Sequence, residues 1–503
     1  MKIGGLLIAA ALVPAITAAD LPSKLASRAA SPLAARLDRL IDSSPALARA
    51  FVGMQVVELS DGRVLYTRNA ERLFVPASNM KLFTTALALS KLGADYRLAT
   101  QIGAEVPIDA EGTLAGDLEL IGGGDPSLSG REYPYRNHAP AGAIYSFHAM
   151  EELADQLVAR GLKRIEGHLV GDDTRYVFEP QPGPWSSDSA SREYGAPVSA
   201  LVLDDNTFVL TLRPAARAGD LAQIALAPPF ENFVIDNRVV TTERGERRIR
   251  FYRSASGQEL HLWGAIARSD APHVQELAIG DPALYAAEVL RDELLRRGIS
   301  IRGSAMARHR FPDESGEAPS HPEVILAEHH SPPLVEVLQV VDKVSQNLHA
   351  EILLREVGVA SGHTGTREGG LAVMDEFLAG AGIPAAQYQF TDGSGLSPRT
   401  LVSPAAVTRL LVYMNQSAHR DEWINLLPIG GEDGTLGSRF AGHPAARSIR
   451  AKTGTIDHVK ALSGYAETAS HGRVAFSLLV NHFEEPSPGV TKAIDALVLA
   501  LLP

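Results

Sequence analysis

The sequence predicts an α/β protein in which one domain is assembled from both ends of the chain and strand-rich material is inserted between them. A hairpin pattern occupies residues 51–67, and two more strand patterns lie near the C terminus, at 460–467 and 473–481. From Tyr96 to about Val324, short alternating strands are separated by frequent Gly, Pro and Asp turns. Because the first and last strands can join one sheet, the middle of the chain is predicted to be an insertion.

Length and composition limit the possible classes of protein. The chain has 503 residues, of which 45% are hydrophobic and 21% charged, as in ordinary globular proteins. A single core stops growing at roughly 250–300 residues, so two or three domains are expected. The formal net charge of -12 and the absence of a long basic run argue against a nucleic-acid or anionic-lipid partner. The chain has no cysteine, which excludes disulfides, thiol catalysis and thiolate metal sites.

The first residues have the pattern of a secretory signal peptide. Lys2 supplies a positive charge, residues 3–16 are apolar, and small residues at 17–19 precede Asp20. We therefore expect residues 1–19 to be removed on export, which places the mature protein outside the cytoplasm. A retained anchor is the weaker alternative, since a spanning helix needs ~20 apolar residues. No later segment is apolar enough to span a membrane, so none is expected in the mature chain.

The remaining elements follow in chain order. A helix is predicted over 33–41, before the hairpin, and a second one begins at Ser78 and ends at Gly93. That second helix is apolar on nearly every face, so it should be buried. The further helical patterns cover 146–160, 281–297, 332–356, 371–378, 404–414 and 490–502.

Ser78-Asn79-Met80-Lys81 is the only Ser-x-x-Lys in the chain, and it lies at the first turn of the buried helix. This spacing puts the serine and the lysine on one helix face. A serine becomes a good nucleophile only when a base takes its proton, and burial lowers the pKa of a lysine enough to make it one. The helix N-terminus adds positive potential where an oxyanion would form. The alternative is a capping serine with a lysine that extends to solvent.

Two other short motifs each occur once. Ser345-Gln346-Asn347 is the only Ser-x-Asn and lies in a helical stretch. Lys452-Thr453-Gly454, followed by Thr455, is the only Lys-Thr-Gly and directly precedes a predicted strand. Taken singly, the first could be helix-surface or capping residues and the second an ordinary turn.

The three motifs in this order are the set found in class A β-lactamases and penicillin-binding proteins. Lys81 and Ser345 lie 264 positions apart (345 − 81), and Asn347 and Lys452 lie 105 apart (452 − 347). With that long first gap, the chain resembles the class C low-molecular-mass penicillin-binding proteins, the D-alanyl-D-alanine carboxypeptidase/endopeptidase family. The resemblance extends over the whole mature chain through the stretches 122–126, 194–201, 392–397 and 431–436. One departure is Gln346, since the middle motif more often reads Ser-Asp-Asn.

The resemblance implies a serine β-lactamase-like transpeptidase fold, an antiparallel sheet flanked by helices, with inserted strand-rich domains. It places the catalytic domain at 20–97 and 325–503. One inserted domain is then formed by 98–205 and 272–324, and a second by 206–271. The family acts on the cell wall, so the periplasm is the expected location, with the extracellular or cell-wall space as the alternative.

The resemblance also implies a serine peptidase mechanism. Ser78 would attack the carbonyl of a D-Ala-D-Xaa bond while Lys81 receives its proton. The other catalytic residues implied are Ser345, Asn347 and Lys452, and the substrate-binding residues implied are Thr453, Gly454 and Thr455. The expected partners are peptidoglycan stem peptides that end in D-Ala-D-Ala or are cross-linked through D-Ala. β-Lactams would act as covalent inhibitors, and no metal or cofactor is expected.

Two alternatives remain open on the same scaffold. A β-lactamase is disfavoured by the long insertion. A non-catalytic wall-binding protein is disfavoured by the intact Lys81, Asn347 and Lys452. The balance between carboxypeptidase and endopeptidase action is undecided, because both use the same acylation chemistry. The stretch Asp392-Gly393-Ser394-Gly395 is expected to brace a loop.

Overall fold

The computed structural model describes residues 31–137, 146–183, 185–228, 234–253, 259–312, 322–484, 486 and 488–502. The predicted signal peptide, residues 1–19, lies outside the described residues. None of the described helices has both the length and the hydrophobicity needed to cross a bilayer.

The described α-helices confirm most of the helical patterns, and α9 is one that the sequence analysis missed. The helices are α1 (Pro32–Asp42), α2 (Met80–Leu92), α3 (His148–Ala159), α4 (Pro282–Arg296), α5 (Leu334–Lys343), α6 (Asn347–Ala360), α7 (Arg367–Gly380), α8 (Pro404–Gln416), α9 (Arg420–Leu426) and α10 (Pro488–Leu499).

The strands include the predicted hairpin and the two predicted C-terminal strands. They are β1 (Phe51–Glu58), β2 (Val64–Arg68), β3 (Ala99–Ala104), β4 (Thr113–Leu114), β5 (Leu118–Ile121), β6 (Arg164–Ile165), β7 (Leu169–Val177), β8 (Thr207–Arg213), β9 (Gln223–Ala227), β10 (Val234–Thr242), β11 (Arg248–Arg253), β12 (Glu259–Ala267), β13 (His273–Ala278), β14 (Ser300–Ile301), β15 (Ala305–Arg310), β16 (Val324–His330), β17 (Tyr388–Gln389), β18 (Leu401–Val402), β19 (Arg450–Ile456), β20 (Val459–Thr468) and β21 (Gly472–Asn481).

Both ends of the chain meet in one antiparallel sheet. Its strand order is β19-β20-β21-β1-β2, and β1 pairs with β21 from Phe51 opposite Asn481 to Glu58 opposite Val474. This confirms the prediction that the N-terminal hairpin and the C-terminal strands share a sheet. It also makes β19 an edge strand, with one side left unpaired by the sheet.

Side chains of this sheet alternate between two cores, as the two-residue period of a strand requires. On β21, Phe476 and Leu478 point to a core shared with α1 and α10. Ala475 and Leu479, which flank this pair along the strand, point to a core formed with α2, α5, α6 and α8. The sheet is therefore covered by helices on both faces, which agrees with the predicted fold class.

The segment between β2 and α5 holds most of the other strands. Its main sheet has the order β15-β7-β5-β3-β16, and three smaller sheets have the orders β14-β6-β4, β13-β8-β9 and β10-β12-β11. One hydrophobic core joins these sheets with α3 and α4. The middle of the chain is thus strand-rich with few long helices, as the sequence pattern predicted. The residue limits of the inserted domains stay predictions.

One local prediction was wrong, and one strand was missed. The helical pattern at 332–356 is broken between α5 and α6, because Ser345 has a left-handed backbone with φ of 66°. The Ser-x-Asn motif therefore forms a turn between two helices and does not lie inside one. Lys452-Thr453-Gly454 precedes the predicted strand, which is β20, and itself lies within β19, a strand that the sequence analysis missed. Apolar periodicity continued across the turn at Ser345, so it could not reveal the break.

A buried hydrogen-bonded pair links the sheet to α8 and α9. The indole N–H of Trp423 donates to the hydroxyl of Tyr465 at 2.9 Å, and that hydroxyl donates to the Leu411 carbonyl at 2.7 Å. Both aromatic side chains are fully buried. An unpaired buried N–H costs about 1–3 kcal/mol, so this hydroxyl stabilises the packing of the helices on the sheet.

We predict that Tyr465→Phe lowers the free energy of unfolding by about 2 kcal/mol, because it leaves the Trp423 N–H without an acceptor. The measurement is the shift in thermal midpoint, followed by tryptophan fluorescence. Tyr413→Phe on α8 is the matched control, since the Tyr413 side chain is 37% exposed, and we expect a change within about 0.5 kcal/mol there. Equal shifts for the two variants would contradict the assigned role of the Tyr465 hydroxyl.

Candidate active site

Ser78 lies in a single 3-10 turn, Ala77–Asn79, that leads directly into α2. Ala77 has a left-handed φ of 47°, so the chain turns sharply before the serine. The Asn481 side chain at the end of β21 holds the preceding segment, because it accepts from the Val75 N–H at 2.8 Å and donates to the Val75 carbonyl at 3.1 Å. The serine is partly exposed and is fixed relative to the sheet.

Lys81 is fully buried one turn after Ser78, and its Nζ has three polar neighbours. They are Ser78 Oγ at 3.0 Å, Asn347 Oδ1 at 2.6 Å and the Ser394 carbonyl at 2.8 Å. A neutral amine has two N–H groups and one lone pair. Asn347 Oδ1 and the Ser394 carbonyl oxygen can only accept, so they use both N–H groups of the amine. The lone pair is left for the Ser78 hydroxyl proton. The site therefore suits a neutral lysine that accepts from the serine.

The surroundings of Lys81 favour that neutral form. Burial lowers the pKa of Lys81 well below its usual value, and the positive charge of Lys452 lowers it further. The carboxylates of Asp392, Glu351 and Asp342 act in the opposite direction but do not outweigh burial.

Ser345 and Lys452 form a second serine–lysine pair across the cleft. The Lys452 ammonium donates to Ser345 Oγ at 2.8 Å and to the Thr453 carbonyl at 3.1 Å. Burial lowers the pKa of Lys452 to about 8, and the Asp342 carboxylate limits the fall. The cleft thus holds one lysine that favours the neutral form and one that keeps its charge near neutral pH.

Asn347 begins α6 and bridges the two parts of the molecule. Its Oδ1 accepts from Lys81, and its Nδ2 donates to the carbonyl of Tyr194 at 2.7 Å. Tyr194 belongs to the inserted segment between β7 and β8. The amide is therefore oriented from both sides.

Strand β19 forms one wall of an open cavity of about 350 Å³ beside Ser78. At Gly454 a Cβ would lie 2.6 Å from the Pro76 carbonyl oxygen, so only glycine lets the strand approach the serine turn. The cavity contains five of the eight residues expected in the site and six others. The lining residues are Ser78, Ser345, Thr435, Arg439, Thr453, Gly454, Thr455, Lys460, Ala461, Thr491 and Ile494. Of the other three expected residues, Lys81 contacts Ser78, Lys452 contacts Ser345, and Asn347 reaches the cavity through Lys81.

Two contributors were missed by the sequence analysis. The 392–395 loop does brace the structure, since Glu351 Oε1 accepts from the Gly393 and Ser394 N–H groups at 2.9 Å each. It also supplies the Ser394 carbonyl that accepts from Lys81. The second is Asp342, fully buried beside both lysines, whose Oδ2 accepts from Thr85 Oγ1 at 3.1 Å. A backbone carbonyl carries no sequence signal, and a lone aspartate in a helix carries a weak one.

Burial raises the pKa of Asp342 to about 7, and the nearby lysines oppose that rise. The carboxyl group can therefore change charge close to neutral pH. Within the described ranges there is no group of three or more His, Asp or Glu side chains placed to hold a metal ion.

Comparison with known proteins identifies the family of the chain. The model of the D-Ala-D-Ala carboxypeptidase 3 (S13) family matches residues 33–501. The chain is 32% identical over 476 residues to a D-alanyl-D-alanine carboxypeptidase of Actinomadura sp. strain R39, covering 92% of this chain and 84% of that protein. It is 26% identical to the D-alanyl-D-alanine carboxypeptidase DacB of Haemophilus influenzae, covering 86% of this chain and 85% of that protein.

A solved structure is similar over nearly its whole length. The crystal structure of penicillin binding protein 4 from Haemophilus influenzae superposes with a TM-score of 0.79 at 23% identity, covering 92% of this chain and 98% of that one. A second crystal structure of that protein contains a β-lactam and superposes with a TM-score of 0.74 at 22% identity. At this identity the likeness concerns the fold, and it confirms the predicted penicillin-binding fold class. The family match confirms the predicted enzyme class, a serine-type peptidase: the chain belongs to the D-Ala-D-Ala carboxypeptidase 3 (S13) family.

Proposed function

We propose that Ser78 is the acylated nucleophile and Lys81 its base in the hydrolysis of D-Ala-D-Xaa bonds in peptidoglycan stem peptides. The observation that carries this proposal is the 3.0 Å contact between Lys81 Nζ and Ser78 Oγ. The other two hydrogen-bond partners of Nζ, Asn347 Oδ1 and the Ser394 carbonyl, can only accept. A base in this position can take the hydroxyl proton as Oγ attacks the carbonyl carbon.

The oxyanion of the tetrahedral intermediate would be held by the backbone N–H groups of Ser78 and Thr455. Ser78 lies at the start of a helix, and Thr455 lies on edge strand β19. Donors at these two places would favour developing negative charge.

The leaving amine needs a proton, and the Ser345–Lys452 pair is placed to give one. Charged Lys452 donates to Ser345 Oγ, so the hydroxyl can pass its own proton to the amine and take one from the ammonium. Thr453 and Thr455 line the same wall and would bind the terminal carboxylate of the peptide. Water then hydrolyses the acyl-enzyme.

A β-lactam would acylate Ser78 in the same way and be released slowly, as the resemblance implies. Export to the periplasm is part of the proposal, because the stem peptides lie outside the cytoplasm. Terminal D-Ala removal and cross-link cleavage differ in the leaving group alone. Digestion of purified wall fragments, with D-Ala release compared with conversion of dimers to monomers, measures the balance between them.

We predict that Ser78→Ala abolishes D-Ala release from a D-Ala-D-Ala peptide, with a loss of at least about 10⁴-fold in kcat, since no acyl-enzyme can form. Ser361→Ala is the control, because Ser361 is exposed at the end of α6, and it should keep the wild-type rate. An active Ser78→Ala variant would refute the assignment of the nucleophile.

The acylation rate should have a bell-shaped dependence on pH. It falls at low pH as Lys81 becomes protonated, and it falls above about pH 8 as Lys452 loses its charge. Asp342, whose pKa is about 7, is ionised in the alkaline range and raises the pKa of Lys452 there. Asp342→Asn removes that charge, so we expect the alkaline limb of this variant's pH–rate profile to move to lower pH.

The rate of β-lactam acylation is measured as a function of pH for the wild type and for Asp342→Asn. Asp421→Asn is the control, because the Asp421 side chain is 87% exposed, and its profile should match the wild type. An alkaline limb that stays in place in Asp342→Asn would contradict the effect of this carboxylate on Lys452.

A further inference from the structure

Gln346, the unusual middle residue of the Ser-x-Asn motif, faces a buried carboxylate from the inserted segment. Its Nε2 donates to Asp205 Oδ2 at 3.0 Å. Its Oε1 accepts from the Leu348 N–H at 2.9 Å and so caps α6. The amide therefore has one donor and one acceptor in use, and a carboxylate at position 346 could supply the acceptor alone.

Asp205 is the centre of a compact buried cluster. Besides Gln346, its Oδ2 accepts from Arg131 Nε at 2.7 Å. Its Oδ1 lies 2.8 Å from His349 Nε2. The Asp205 side chain is 2% exposed, that of His349 is fully buried and that of Arg131 is 18% exposed. Residues from the insertion and from α6 thus share one carboxylate.

The charges in this cluster balance with Asp205 as the ionised acid. Although burial opposes ionisation, Arg131 and His349 hold the pKa of Asp205 below its usual range. Burial lowers the pKa of His349, so the imidazole is neutral and its Nε2–H donates. Burial raises the pKa of the adjacent Asp204 to about 8, which keeps that carboxyl protonated. One negative charge therefore faces one guanidinium.

Both turns that meet here have left-handed backbones. Ser345 has a φ of 66°, and Asp204, Asp205 and Asn206 have φ of 50°, 56° and 55°. Residues with a Cβ avoid this region, so such turns persist only where surrounding contacts hold them. The residue after Ser345 contacts the insertion through the Gln346–Asp205 hydrogen bond, and Asn347 contacts it through the Tyr194 carbonyl. That turn sets the positions of Ser345 Oγ and Asn347 Oδ1, which contact Lys452 and Lys81.

We propose that Asp205 is a positioning residue that holds the Ser345-Gln346-Asn347 turn in its working geometry, and that Gln346 and Asp205 are a matched pair. This inference rests on the proposed function of the same site. An acidic residue at 346 would place a second carboxylate against Asp205 with one guanidinium to neutralise both. The neutral glutamine amide, which donates to Asp205, avoids that repulsion.

The test compares acylation by a fluorescent penicillin in Gln346→Glu, Gln346→Met, Asp205→Asn and the double variant that combines Asp205→Asn with Gln346→Glu. Gln346→Glu adds a like charge, so we expect its rate to fall at least about tenfold and to lie below that of Gln346→Met, which only loses the hydrogen bonds. In the double variant one carboxylate again faces the guanidinium of Arg131, so the charges balance as in the wild type. The acylation rate of the double variant should exceed that of Gln346→Glu. It should also exceed the rate expected if the effects of the two single substitutions simply multiplied.

Gln416→Glu, at an exposed position at the end of α8, is the matched control for adding a negative charge and should label like the wild type. If wild-type protein is not labelled, the proposed function fails. If wild-type protein is labelled but the single effects multiply without rescue, the pairing of Gln346 with Asp205 is wrong. If Asp205→Asn does not fold, the proposal is tested by the acylation rates of Gln346→Glu and Gln346→Met. A faster rate for Gln346→Glu than for Gln346→Met overturns the proposal.

Discussion

Two buried lysines, Lys81 and Lys452, share one cleft, and the positive charge of Lys452 lowers the pKa of Lys81. Desolvation favours the neutral form of both Lys81 and Lys452. The groups around each lysine decide whether it carries a charge. Lys81 has two pure acceptors and a serine hydroxyl, a set that a neutral amine satisfies fully. Lys452 has the Asp342 carboxylate nearby, which supports its charge. The proposed base and the proposed acid are thus the same type of residue.

The fold builds this difference from distant parts of the chain. The N-terminal hairpin and the C-terminal strands form the sheet whose edge strand carries Lys452. Helix α2 carries Lys81, the turn before α6 carries Ser345, and the first residue of α6 is Asn347. The insertion contacts that turn twice, through the Tyr194 carbonyl and through Asp205. The segment between β7 and β8 is therefore part of the environment of the cleft.

Much of this organisation could be predicted from residue patterns. The alternation in β1 and β21 predicted the sheet, and three motifs in a fixed order predicted which side chains meet. The break at Ser345 could not be predicted, because apolar periodicity continues through it and the turn depends on tertiary contacts. The contributions of the Ser394 carbonyl, Asp342 and Asp205 could not be predicted either, since each depends on groups far away in the sequence.

The central claim is that Ser78 forms the covalent bond. The most direct measurement is to incubate the protein with benzylpenicillin, digest it and locate the adduct by tandem mass spectrometry. The account predicts one penicilloyl group per chain, on Ser78, and none on Ser345 or another serine of the cleft. An adduct on a different residue, or a chain that remains unmodified after prolonged incubation, would contradict it.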